Sequence, residues 1–102
     1  MTKEQTVKEL CGNLPEYSLS LHCLKWDYDN CVFVFFDEYE KEHHTVNLKQ
    51  MVKGFNIMTK NWDTPDFEKD NDLKIDAFLC NCDACFVDAM VQCAIFEEVI
   101  YG

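Results

Sequence analysis

Seven cysteines occur in the 102-residue chain, and three of them crowd into Cys80-x-Cys82-x-x-Cys85. That cluster is the one whose residue type and spacing first invite a chemical reading. Structural zinc sites take four ligands at tetrahedral geometry, usually as two separated pairs. Here Cys80, Cys82 and Cys85 lie together and the next cysteine is Cys93. On a helix over 83–96, Cys82, Cys85, Ala89, Cys93 and Phe96 share one face, and an apolar packing stripe accounts for that spacing without a metal. His43 and His44 could complete a ligand set, but no spacing places them nearby. The expectation is no metal and no cofactor, with a Cys-based zinc module as the alternative.

The inner pair, Cys82-Asp83-Ala84-Cys85, also has the spacing of a redox dithiol at a helix N-terminus, where a thiol pKa falls. A thioredoxin-like fold needs further strands and a cis-proline turn after that helix, and no proline follows Cys85. Hydrolytic chemistry finds no better footing. The only serines are Ser18 and Ser20, neither in a Gly-x-Ser-x-Gly setting, and three glycines cannot build a phosphate-cradling loop. His22, His43 and His44 have no partner set by spacing. Carboxylates are so numerous that no pair stands out as an acid–base couple. No enzymatic activity is expected.

Charge is more informative. Nineteen Asp and Glu face nine basic residues, all lysine, for a net charge of −10. Such a field repels nucleic acid and anionic membranes and draws in basic surfaces. The lack of arginine also removes the usual bidentate phosphate reader. The carboxylates concentrate in two stretches that carry aromatic side chains. The first, 37–42, supplies Asp37, Glu38, Tyr39, Glu40 and Glu42. The second, 63–76 with Trp62 before it, supplies Asp63, Asp66, Phe67, Glu68, Asp70 and Asp72. Charge for steering and aromatic anchors for burial compose a face for a basic protein partner.

The elements that must position these residues read as one domain, 1–102, of α+β class. Thr2 caps a first helix to Gly12, with Gln5 as capping-box partner. Residues 17–26 alternate as a strand with Tyr17, Leu19, Leu21 and Cys23 on its buried side. Residues 27–30 turn, and 31–36 (CVFVFF) have the pattern of a central strand covered on both faces. A short third strand over 43–46 would convert the hairpin into a meander. Asn47 caps a helix over 48–61, in which Gly54 implies close packing. Residues 62–76 read as an acidic surface loop with at most a helical turn. A last helix over 83–96, apolar nearly all round, packs with the preceding helix on one face of the sheet, or supplies a homodimer interface. There is no uninterrupted apolar run long enough for a membrane span, and the N-terminal segment lacks a signal-peptide core, which places the chain in the cytosol.

The stretch 83–102, DACFVDAMVQCAIFEEVIYG, resembles the end of small phage and mobile-element proteins. Those end in D-A-x-x-Q-x-A-x-F-x-E followed by V-x-Y-G. The matching positions are Asp88, Ala89, Gln92, Ala94, Phe96, Glu98, Val99, Tyr101 and Gly102, while Glu97 stands where that pattern has glycine. In kind, the chain is similar to anti-defence proteins such as anti-CRISPR inhibitors and DNA mimics. That resemblance implies an inhibitor acting in the host cytosol on a nucleic-acid-processing defence protein, such as a CRISPR effector nuclease, by occupying its basic nucleic-acid groove. A regulatory or assembly protein of a mobile element is the alternative.

Overall fold

Thr2 and Gln5 close a reciprocal capping box at the start of α1 (Lys3–Cys11), with each side chain bonded to the other residue's backbone N–H. The chain then turns through Leu14 and Pro15 and enters an antiparallel sheet of order β1-β2-β3. The strands are β1 (His22–Asp27), β2 (Val32–Asp37) and β3 (Glu42–Val46). Three helices follow: α2 (Leu48–Met58), α3 (Asp72–Cys80) and α4 (Ala84–Phe96). The computed structural model describes all residues, 1–102. The α+β class, the N-terminal helix, the three-stranded meander and the following helices are those expected.

One core joins the layers. Phe33, Phe35 and Val46 point from the inner face of the sheet into Val7, Leu10, Met51, Phe55, Val87, Met90 and Val91 of the helices. Helices α2 and α4 pack so closely that a Cβ on Gly54 would lie 2.5 Å from the Met90 carbonyl oxygen and 2.6 Å from the Ala94 nitrogen. Glycine at 54 is therefore a packing requirement, and it offsets the helix propensity lost there.

Four expectations need correction. The first strand does not begin at Tyr17. Residues 18–21 stay outside the sheet, with a bend at 20–21, and Leu19 is exposed, because the β1–β2 pairing ends at Phe36–His22. The backbone N–H groups of Leu19 and Ser20 instead donate to the Asp88 carboxylate. Strand β2 is covered by helices on one face only; Val32, Val34 and Phe36 on the other are half-buried by their neighbours. Phe36 there lies 4.9 Å, ring to ring, from His43 of β3. The helix after the sheet ends at Met58, short of the expected 61. Finally, the acidic stretch ends in a real helix, α3, capped by Asn71. Its acidic composition and an exposed Leu73 hide the signal, since only Ile75 on it is fully buried.

Candidate functional site

The first acidic stretch folds as the β2–β3 turn. Its leading residue, Asp37, is not part of the presented surface. It is fully buried at the end of β2. Its Oδ1 accepts from the backbone N–H of Tyr39 (2.9 Å) and Glu40 (3.2 Å), and its Oδ2 from the Tyr101 hydroxyl (2.7 Å). Burial alone would raise the Asp37 pKa, but the Tyr101 hydroxyl and the two amides outweigh it and hold the carboxyl below its usual value. The same bond, with burial, pushes the Tyr101 phenol up to about 12. Fully buried and with both oxygens engaged, Asp37 cannot also reach a partner. The carboxylates left at the surface are Glu38, Glu40 and Glu42. Glu38 pairs with His22 at 2.8 Å, and Tyr39, 76 % exposed, stacks on Tyr101.

In the second stretch, two carboxylates shape the loop itself. Asp70 accepts from the Asp66 N–H (2.8 Å) and Asp66 from the Glu68 N–H (3.0 Å). Asp72 occupies the first turn of α3, where a negative side chain complements the helix dipole. Phe67 turns inward, with its ring 6.0 Å from that of Phe55, so it anchors the loop to the core. Asp63 and Glu68 are exposed, and their side chains make no hydrogen bond or ion pair within the chain. Trp62, 53 % exposed, stands edge-on against Phe86 with ring centroids 5.3 Å apart.

The two stretches are not neighbours. Trp62 meets Phe86 near the start of α4, whereas Tyr39 reaches α4 through Tyr101, which meets Phe96 at its end. From Phe86 to Phe96 the helix rises about 15 Å. The acidic segments therefore bracket α4, and a single partner would have to span both ends of it.

The cysteine cluster does not converge. Cys80 ends α3 exposed, Cys82 sits in the connection with its thiol donating to the Phe78 carbonyl, and Cys85 is exposed in the first turn of α4. No three His, Cys, Asp or Glu side chains come together as a metal-binding group, which removes the geometric basis of the zinc alternative. Burial, then the adjacent Asp83, raises the Cys82 thiol to about 11, the reverse of an activated thiol.

The residues of the C-terminal pattern have a structural part that spacing did not reveal. Asp88 accepts from Leu19, Ser20 and Gln92, tying α4 to the chain before β1. Gln92, 1 % exposed, accepts through Oε1 from the backbone N–H of Ile100 (3.0 Å) and Tyr101 (2.8 Å) and donates through Nε2 to the Tyr101 carbonyl (3.1 Å). The visible signal was two polar residues four apart in an otherwise apolar helix, a buried hydrogen-bonding pair more often than a solvated one.

No family model, no curated protein and no solved structure matches the chain. No single helix is long and apolar enough to cross a membrane; α3 and α4 reach that length and apolarity only together, and the chain bends by 97° between them.

Proposed function

We propose that the protein is an acidic binding protein that occupies a basic, nucleic-acid-binding surface of another protein. The reading is supported chiefly by one observation. Of nineteen carboxylates only Asp37 and Asp88 are buried, and of the four exposed aromatic rings Tyr39 and Trp62 stand beside the two acidic stretches. Carboxylates at the surface compete with phosphates for lysine and arginine, and exposed aromatic rings supply the area that holds the contact. The resemblance of residues 83–102 to mobile-element proteins makes a defence nuclease of the host cytosol, such as a CRISPR effector, the favoured target class. The action is stoichiometric and needs no catalytic group.

The test is capture of proteins from a nuclease-treated bacterial lysate, followed by challenge with salt and with duplex DNA or RNA. Neutralisation should avoid Asp37, Asp66 and Asp70, which hold turns, and use Glu40→Gln, Asp63→Asn and Glu68→Gln. The proposal expects nucleic-acid-binding proteins that are displaced by nucleic acid and lost in the neutralised variant. Partners that resist displacement, or bind the variant unchanged, would sink it; recovery of only other mobile-element proteins would favour the assembly role instead.

A further inference from the structure

Alongside α4 runs an apolar groove of about 650 Å³. It is lined by Met58 at the end of α2, by Trp62 in the connection that follows, by Phe86, Ala89 and Cys93 of α4, and by Val99 of the tail. Its polar rim is acidic and contains no lysine: Asp83 precedes the first residue of α4, and Glu97 and Glu98 follow its last. The 13 residues between them set these charges about 20 Å apart. Glu97 is paired with Lys53, and Asp83 caps α4 by accepting the Phe86 N–H through Oδ1 (3.0 Å), which leaves its Oδ2 and the Glu98 carboxylate without a cation within the chain. The half-exposed Trp62 and Val99 stand at the border, and Cys85 exposes its thiol there.

We infer that this groove docks a short amphipathic helix of a partner protein, apolar along one face and carrying lysine or arginine at both ends. The charge pattern selects that occupant. A helix of about four turns spans the groove, places its apolar face on Phe86, Ala89 and Trp62, and brings its basic ends to Asp83 and Glu98. A second copy of this chain would bring the same three carboxylates, and the lysine beside them, Lys53, is already held by Glu97. An anionic membrane or a nucleic acid meets the same repulsion. The site differs from the acidic turn and loop described above except at Trp62, so it can fail while they succeed, and the reverse.

The probe is a synthetic 18-residue helix of leucine and lysine, with a glutamate-for-lysine counterpart of identical apolar face. Binding is read in a Trp26→Phe background, where Trp62 alone reports by fluorescence, and by protection of Cys85 from alkylation. The groove is blocked with Ala89→Glu, which fills the floor yet adds negative charge, so any loss of the basic peptide is steric. Circular dichroism confirms that this variant is folded, and Ala89→Ser, small enough to leave the groove open, serves as the folded control. The expected result is Cys85 protection by the lysine peptide, about tenfold weaker binding of the glutamate peptide, and about tenfold weaker binding to Ala89→Glu but not to Ala89→Ser. Equal binding of both peptides, undiminished binding to Ala89→Glu, or an oligomeric state that changes with residue 89 would overturn the inference. The acidic residues 40, 63 and 68 stay intact throughout, which keeps this result separate from the capture experiment.

Discussion

Gln92 gives the tail what a neighbouring strand would otherwise give it. Its amide oxygen takes two backbone N–H groups and its nitrogen reaches a carbonyl, so Ile100 and Tyr101 are satisfied without a sheet. Gln92→Leu keeps the volume and strands those groups, and should cost about 2 kcal/mol, read as a lower urea midpoint at unchanged slope. Asp37 and Tyr101 form the second tie. The Asp37 carboxyl is held below its unfolded value of 3.8, so its contribution is present above that pH and fades as pH falls further. The Tyr101 phenol is raised from 10.0 to about 12, so its contribution is complete below pH 10 and is lost as pH climbs toward 12. Tyr101→Phe should therefore shrink both limbs, the alkaline loss between pH 10 and 12 and the acid loss below pH 3.8, because the Asp37 carboxyl loses a bond that depresses it. Urea midpoints measured across pH test both limbs. Some alkaline loss beginning near pH 9 should persist, because burial raises the thiols of Cys23 and Cys82 from 9.0 to about 11.

Among the elements, the α2–α4 contact carries the fold. At Gly54 the two backbones touch, and the atoms in the way are backbone rather than a flexible side-chain end. Gly54→Ala, favourable for helix propensity, should instead destabilise by about 1–3 kcal/mol as the helices part. A thermal midpoint equal to the parent's would show that the contact is loose. The end of α4 has a related feature: Glu97 sits in the left-handed region at φ 64, where glycine is usual. Its side chain reaches back to Lys53 of α2 in an exposed ion pair.

For the whole molecule, net charge sets opposite responses to salt. At −10 the folded chain repels itself, and only three ion pairs of the N-terminus and lysines relieve that repulsion. Raising NaCl from low ionic strength should therefore raise the melting temperature, while the proposed complex with a basic partner weakens over the same range. A melting temperature that falls with added salt would mean that the ion pairs, not the net repulsion, dominate.

Local chemistry made the caps and the meander legible. Thr2 with Gln5 and Asn47 with Gln50 close boxes that need only residues three apart, and the 27–30 turn follows from its composition. The acidic candidates were visible in the same way, as composition. What the sequence could not decide was which of them reach solvent. Asp37 and Asp66 look alike in a charged run, but one is buried by a tyrosine 64 positions away and the other shapes its own loop. Helix α3 and the ragged start of β1 were hidden for a similar reason. A strand lasts only as long as its partner, and a weakly amphipathic helix survives by tertiary support that local pattern does not carry. The groove is likewise a tertiary product, since its floor, its aromatic border and its carboxylates come from α2, α4 and the tail. Only packing brings those three together.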